Sequence, residues 1–260
     1  MVTVNKTKAK LKAGGVAFGV AVSPYDISSI ELAGAMGFDF AAIDCEHDLF
    51  DPQAAEAAIR AADVYGMTPI IRIMNNPELI LHLLDAGAQG VWVARVNSIG
   101  EAKRVINAAK FHPEGTRTIF FRGRGGNFGL DVSSAKQWTL DTNRETMIGF
   151  IIEGIDGFNC LGEILAMPEL DFVDLGPLDL AHSLGWPEQK EVDGMVGRII
   201  SESAGAGKAV TGSGSMDTLA DTLAQGRRMV TVSPRGYFQA AAPQFLKDAR
   251  ALAKANGYVV

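Results

Sequence analysis

Two acidic residues follow apolar runs at corresponding points of the chain and could together hold a divalent cation. Glu153 comes directly after residues 147–152, and Asp179 lies 26 residues further on, in the segment Gly176-Pro177-Leu178-Asp179-Leu180 that follows residues 172–175. Carboxylates at the carboxyl ends of neighbouring parallel strands provide oxygen ligands for such an ion. Taken singly, Asp179 is more simply explained as a helix N-cap and Glu153 as a surface residue, but their matched placement favours a metal site.

Three further polar side chains are expected at the same end of the strands. His47 follows residues 38–43, Arg72 lies inside the apolar run 68–73, and Arg95 lies near the end of residues 90–96. A cation in an apolar strand requires a partner or an anionic ligand. The alternatives are a surface histidine at His47 and structural ion pairs for the two arginines. The convergence of all these side chains indicates an active site.

The chemistry that this set suits is the handling of an anionic 2-oxo acid. A divalent ion would chelate the carboxylate and the 2-oxo oxygen, an arginine would stabilise an enolate oxygen, and a base would move the proton. No lysine ends a predicted strand at this mouth, which argues against a Schiff-base aldolase. Asp85, at the end of an apolar helix, would either pack at that helix end or orient His47.

The elements that must position these residues alternate regularly between strand and helix. Eight nearly continuous apolar runs are separated by helical segments without a linker, which predicts one (β/α)8 TIM barrel domain over residues 1–260. A doubly wound open sheet is the alternative. A short helix over residues 6–13 could cap the amino end of the barrel, and residues 111–144 are a Gly- and Arg-rich insertion. The predicted strands are residues 16–22, 38–43, 68–73, 90–96, 147–152, 171–175, 208–211 and 228–233.

Composition excludes several classes of partner. The chain has 260 residues, 47% of them hydrophobic, and a net charge of -6 without a basic block, so we expect neither nucleic acid nor membrane as a partner. Two cysteines cannot build a disulfide framework, and we find neither a signal peptide nor an apolar run of about 18 residues. A cytoplasmic location is the expectation.

Together these motifs resemble those of a known family, the HpcH/HpaI metal-dependent, pyruvate-using class II aldolases, over nearly the whole chain. The resemblance implies a (β/α)8 barrel, often hexameric with an exchanged C-terminal helix, that cleaves 4-hydroxy-2-oxo acids to pyruvate and an aldehyde. We therefore expect a homo-oligomer, a trimer or hexamer. The matching segments are Ile43-Asp44-Cys45-Glu46-His47 within residues 29–47, Arg72, Leu83-Leu84-Asp85-Ala86-Gly87-Ala88, Ile152-Glu153, Gly176-Pro177-Leu178-Asp179-Leu180 and Ser183-Leu184-Gly185.

The family resemblance also implies individual roles. Glu153 and Asp179 correspond to the metal ligands, with Mg²⁺ or Mn²⁺ as the expected ion and Co²⁺ or Zn²⁺ as alternatives. Arg72 corresponds to the arginine that stabilises the enolate, and His47 with Asp85 to the acid/base pair.

Supporting and substrate-binding roles follow from the same resemblance. Asp44 would support the site, and Arg124 would lie in a loop near a neighbouring subunit. Backbone amides around Leu178 and Asp179, in the Gly176-Pro177-Leu178 turn, would hold the substrate carboxylate, which belongs to pyruvate or oxaloacetate. The partner molecule would be an aldehyde or an acyl compound.

Four positions depart from the family pattern. Ile151 replaces a common glutamine, Ala94-Arg95 replaces Pro-Met, and Ala21 replaces a tryptophan. Arg95 could therefore pair with a second carboxylate of the substrate. Two alternative functions remain. One is a citrate-synthase-like condensation of oxaloacetate with an acyl thioester, and the other is a barrel that binds a carboxylate without turnover.

Overall fold

A computed structural model describes residues 2–259, and its centre is a closed barrel of eight parallel strands in sequence order. This confirms the (β/α)8 barrel. Each strand pairs with its neighbours in the chain, and the first strand pairs with the last, so no sheet edge is left open. The strands are β1 (Ala17–Val22), β2 (Phe40–Asp44), β3 (Thr68–Ile73), β4 (Gly90–Val93), β5 (Met147–Ile152), β6 (Phe172–Leu175), β7 (Ala209–Ser213) and β8 (Met229–Val232).

Helices surround the barrel, and most begin with a polar cap on the first turn, such as Asp51 and Asn76, whose side chains accept from backbone amides three residues on. The helices are α1 (Lys6–Lys12), α2 (Ile27–Ala35), α3 (Pro52–Val64), α4 (Pro77–Asp85), α5 (Ile99–Ala109), α6 (Ala135–Glu145), α7 (Ile155–Asn159), α8 (Leu161–Leu165), α9 (Pro177–Ser183), α10 (Gln189–Gly205), α11 (Met216–Ala224) and α12 (Pro234–Ala255).

Two apolar layers hold the barrel together. The larger layer lies between strands and helices, and the smaller one fills the barrel interior. Inside, the ring of Trp92 meets the ring of Phe172 edge-on at 5.3 Å. Gly149 makes this filling possible, because a Cβ there would lie 2.1 Å from the Phe172 ring. The interior is thus packed with side chains, and the space for a ligand lies at the barrel ends.

Helix α1 caps the amino end of the barrel, as the sequence suggests. The Thr7 hydroxyl donates to the backbone carbonyl of Asp39, and the Lys8 ammonium donates to the carbonyl of Thr146. These residues immediately precede strands, so the helix is tied to strand starts. No helix within residues 2–259 has both the length and the apolarity needed to span a bilayer.

Several elements have other bounds than the sequence predicts, and three of the differences have a clear local cause. Strand β4 ends at Val93 rather than at residue 96, because Arg95 adopts a left-handed backbone with φ of 56°. The insertion contains helix α6, which is capped by Ser134 and packs Trp138 against Phe111 with ring centroids 5.2 Å apart. Helix α12 starts at Pro234, capped by Ser233, and not at residue 242.

Candidate active site at the carboxyl end of the barrel

A cavity of about 610 Å³ opens at the carboxyl end of the barrel. Its walls come from the segments that follow β2, β3, β4 and β5, and from α9. This is the end at which barrel enzymes carry their active sites, because the loops after the strands converge there. The lining residues used below are Glu46, His47, Arg95, Asn97, Glu153 and Asp179.

Glu153 and Asp179 come together over Gly176. A Cβ placed on Gly176 would lie 2.8 Å from Glu153 Oε2 and 3.6 Å from Asp179 Oδ2, so both carboxylate oxygens border the same small volume. Glu153 is 8% exposed, whereas Asp179 sits exposed in the first turn of α9. Any side chain at position 176 would displace the Glu153 carboxylate, which is the physical reason for a glycine there.

The environment of the Glu153 carboxyl group disfavours its charged form. Burial, followed by the charges of Glu46 and Asp179, raises the pKa of Glu153 to about 7. The backbone amide of Arg95, 2.8 Å from Glu153 Oε1, and the charge of Arg72 act in the opposite direction. A cation between the carboxylates would relieve this repulsion, so the donor set and its electrostatics fit a divalent ion.

Glu153 and Asp179 are the two carboxylates whose oxygens border this volume at Gly176. Within residues 2–259 no cluster of three or more His, Cys, Asp or Glu side chains is arranged to hold a metal ion. Mg²⁺ is commonly bound through one or two carboxylates, with waters and substrate oxygens completing its shell. A two-carboxylate site is therefore adequate for a hard ion and inadequate for a structural zinc centre.

Arg72 is the centre of a charged cluster beside the two carboxylates. Its Nε lies 2.8 Å from Glu46 Oε2, its Nη1 lies 3.6 Å from Asp44 Oδ2, and its Nη2 lies 3.1 Å from His47 Nε2. The contact with Glu46 is an ion pair without hydrogen-bond alignment, since neither atom has a hydrogen-bond partner. The partner that the sequence leads us to expect for the Arg72 cation is therefore Glu46, whose side chain is only 7% exposed.

Asp44 organises the turn that carries Glu46 and His47. Its Oδ1 accepts from the backbone amides of Glu46 at 2.9 Å and of His47 at 3.0 Å. This local capping of the chain after β2 is a common aspartate turn. It directs the His47 side chain, which is 65% exposed, toward Arg72 and the cavity.

Arg95 contributes to the site in two ways. Its left-handed backbone turns the amide N–H toward Glu153, and its side chain is exposed at the cavity wall. In the Gly176-Pro177-Leu178 turn, the Leu178 side chain is 74% exposed. Pro177 occupies the first position of α9 and pre-forms its first turn.

Two expected site residues lie elsewhere in this chain. Asp85 ends α4, just before β4 begins, and pairs with Arg117, whose Nη2 lies 2.6 Å from Asp85 Oδ1. Arg124 pairs with Asp63 at the end of α3. Both pairs therefore lie toward the amino end of the barrel, because helices run back from the carboxyl end. Within this chain Asp85 therefore lies away from His47, and the pairing of Asp85 with His47 and the place of Arg124 near a neighbouring subunit stay predictions.

Sequence reasoning missed some residues that line the cavity. Asn97 follows β4 by four residues, and its Oδ1 is buried without a hydrogen-bond partner among the described residues. Asp156 and His182 also line the wall. Their signal is positional, since each lies in a segment that follows a strand toward the carboxyl end, but the polar type alone does not separate them from surface residues.

Two departures from the family pattern lie in the barrel interior. Ile151 is 1% exposed and belongs to the apolar interior of the barrel, directly below the mouth. Ala21 is half-buried and packs against the same interior cluster. Both replacements make this part of the barrel more apolar or smaller, whereas Arg95 adds a charge at the rim.

Comparison with known proteins finds relatives among the aldolases. Residues 20–235 match the HpcH/HpaI aldolase/citrate lyase family. A hydroxypyruvate/pyruvate aldolase from Rhizorhabdus wittichii strain RW1 is 31% identical over 85% of this chain and 89% of that protein. A 2-keto-3-deoxy-L-rhamnonate aldolase from Escherichia coli strain 536 is 29% identical over 79% of this chain and 77% of that protein.

The barrel also superposes on solved structures. The crystal structure of the citrate synthase SbnG has a TM-score of 0.79 and 25% identity, and the match covers 96% of this chain and 98% of that one. The family match spans most of the sequence, and an aldolase is 31% identical across it. This chain therefore belongs to the HpcH/HpaI aldolase/citrate lyase family, whose aldolases are carbon–carbon lyases.

Proposed function

We propose that this chain is a divalent-metal-dependent aldolase that cleaves 4-hydroxy-2-oxo acids to pyruvate and an aldehyde through an enolate. The observation that carries the proposal is the approach of Glu153 Oε2 and Asp179 Oδ2 to one volume over Gly176. The cluster around Arg72 lies beside it. The relatives named as aldolases of 2-oxo acids support the same class of substrate.

Glu153 and Asp179 would hold Mg²⁺ or Mn²⁺, with the substrate and water providing the other oxygens. When bound, the ion would supply Lewis-acid stabilisation of charge that develops on the 2-oxo acid. Arg72 would donate to the oxygen that becomes the enolate, and its contacts with Glu46 and Asp44 hold the guanidinium in place for that task.

His47 is the proposed acid/base group. As a base it takes the proton of the 4-hydroxyl, the C3–C4 bond breaks, and its electron pair moves toward the 2-oxo oxygen as the aldehyde leaves. A proton returned to C3 completes pyruvate. Arg72 Nη2 lies 3.1 Å from His47 Nε2, and an arginine can only donate, so this contact is a hydrogen bond in the tautomer whose Nε2 carries no proton. Asp44 positions His47 through its backbone amide.

The direct test is proton exchange at the methyl group of pyruvate, followed by NMR in deuterated buffer. We expect exchange with Mg²⁺ or Mn²⁺, loss of exchange after chelation, and recovery when the ion is returned. Exchange that persists after complete chelation would contradict metal dependence. No exchange with either ion, in folded protein, would exclude pyruvate as the nucleophile.

A second candidate function is condensation of oxaloacetate with an acyl thioester. The similarity to a citrate synthase structure and the exposed Arg95 cation at the rim favour a dicarboxylate in this case. Product analysis with oxaloacetate and acyl thioesters would separate it from the aldolase reaction. A barrel that only binds carboxylates would show binding of 2-oxo acids without exchange or product.

Arg95 is proposed to bind a second carboxylate of the substrate, while backbone amides at Leu178 and Asp179 hold the first. Replacing Arg95 by alanine keeps the amide that contacts Glu153 but removes the cation. We expect kcat/KM for dicarboxylic substrates to fall about tenfold or more, since a hydrogen bond to a charged group contributes roughly 1.5–3 kcal/mol. Monocarboxylic substrates are the control, and equal losses for both classes would argue against the assignment.

We further propose that α12 docks on another copy of the chain, as in the exchanged helix implied by the family. No residue of α12 is buried, and its large apolar side chains Phe238 and Phe245 are 74% and 70% exposed. A helix with such apolar surface needs a partner. The double substitution Phe238→Asp/Phe245→Asp is expected to shift an oligomer toward monomers in light scattering, whereas Gln239→Asp on the same helix should not. Unchanged mass in the double variant would contradict this proposal.

A further inference from the structure

A second cavity, of about 480 Å³, lies at the amino end of the barrel, opposite the mouth. Its walls include Met147 and Ala209, the first residues of β5 and β7, together with side chains of α1. None of the residues assigned to the active site contributes to it. Six cationic side chains line this amino-end cavity: Lys8, Lys12, Lys110, Arg144, Lys208 and Arg228.

Carboxylates balance only part of this charge. Glu114, Glu169 and Asp171 are the acidic residues of the lining. Asp171 forms an ion pair with Lys8 at 2.9 Å, and Glu114 approaches Lys110 only to 4.0 Å. Within residues 2–259, Lys12, Lys208 and Arg228 have no carboxylate within ion-pair distance. The amino-end cavity therefore has an excess of positive charge in a chain whose net charge is negative.

Backbone carbonyls hold the cations in position without using all their donors. The Lys110 ammonium donates to the carbonyls of Asn143 and Thr146, and the Lys208 ammonium donates to those of Met167 and Leu170. Each ammonium has three N–H groups, so each keeps one for another acceptor. Arg228 uses only Nη1, toward the carbonyls of Leu11 and Gly15.

Burial of a cation in this cavity is most marked at Lys110. Its side chain is 2% exposed, and burial followed by the charge of Lys8 lowers the pKa of Lys110 to about 8. A buried cation without a close carboxylate is unfavourable unless an anion or hydrogen bonds compensate it. Two carbonyls compensate part of the charge, and an anion in the cavity would compensate the rest.

We propose that the amino-end cavity binds a small polyanion through its phosphate or carboxylate oxygens, at a site separate from the active site. The unused donors of Lys110, Lys208 and Arg228 face acceptor oxygens of this ligand, and Lys12 adds long-range attraction from α1. Because α1 and the starts of β5 and β7 all contribute to the walls, the bound anion stabilises the closure of the barrel's amino end.

The test is calorimetric titration of the full-length, metal-free protein at constant ionic strength set with KCl. Pyrophosphate and citrate are the two probes, so tighter binding of one identifies the phosphate or the polycarboxylate class. Saturating anion should also raise Tm by about 5 °C, since binding to the folded state stabilises it. The absence of metal separates this result from the proposed aldolase chemistry.

The variant Lys12→Gln/Lys208→Gln should weaken binding at least tenfold, and the single variant Lys12→Gln should weaken it about threefold. Lys12 is exposed, so the single variant keeps the test valid if the double variant melts at a lower temperature without anion. Lys103→Gln, an exposed substitution outside the cavity, should bind both probes as the unmodified chain does. Binding that survives the double substitution, that is lost in Lys103→Gln, or that is absent for both probes would overturn the proposal.

Discussion

Replacing Glu153 by glutamine is expected to reduce metal-dependent pyruvate exchange and aldol cleavage by about 10³-fold or more. Glutamine has nearly the same shape and still presents an oxygen to the Arg95 amide, which lies 2.8 Å from Glu153 Oε1. It lacks the charge that binds a divalent ion. Lewis-acid stabilisation contributes several kcal/mol, and about 1.4 kcal/mol corresponds to a factor of ten in rate. Metal titration by calorimetry should show the matching loss of affinity.

The matched control for this substitution is Asp156→Asn. Asp156 lines the same cavity and is exposed, but no role in metal binding is proposed for it. We expect its activity to stay within about twofold of the unmodified chain, as for other exposed substitutions away from the chemistry. A Glu153→Gln protein that retains full metal-dependent exchange would rule out Glu153 as a ligand.

Replacing Arg72 by lysine is expected to lower kcat about 10²- to 10³-fold while metal binding persists. Lysine keeps the positive charge but cannot contact Glu46, Asp44 and His47 at the same time, as the guanidinium does. In other enzymes, removal of one hydrogen-bond donor to a developing oxyanion lowers kcat by a factor of this size. Single-turnover measurements with saturating metal would separate the chemical step from binding.

Arg60→Lys provides the control for the change of side-chain type. Arg60 forms an exposed i,i+4 pair with Glu56 on α3, and pairs of this kind contribute little to stability. Its substitution should leave kcat and Tm nearly unchanged. If Arg72→Lys lowered kcat no more than Arg60→Lys does, the assignment of Arg72 to the enolate oxygen would be wrong.

The strength of local sequence signals varied along the chain. Strands β3 and β5 have the predicted bounds, because their apolar runs end at clear turn residues. The start of α12 was missed because Pro243 lies inside the helix, where proline is normally unfavourable. The end of β4 was missed because a left-handed backbone at Arg95 depends on the contact of its amide with Glu153, which is 58 residues away.

The candidate site was predicted in part for a related reason. Glu153, Asp179, Arg72 and His47 each follow or end a strand, and strand ends converge in any parallel barrel. Asp85 also ends an element, but that element is a helix, and helices run back toward the amino end. The type of element therefore determines which barrel end a residue reaches within its own chain, and for Asp85 this is the amino end.

The sequence by itself determined the (β/α)8 class, the alternation of buried strands with helices, and the set of strand-end residues that face the mouth, because these depend on local periodicity and on chain direction. The tertiary structure decided which of these groups touch. Arg72 pairs with Glu46, which lies in the turn after β2. Gly176 leaves room for the carboxylates of Glu153 and Asp179, and six cationic side chains line the amino-end cavity. Such contacts join residues far apart in the chain, and their distances follow only from the closure of the barrel.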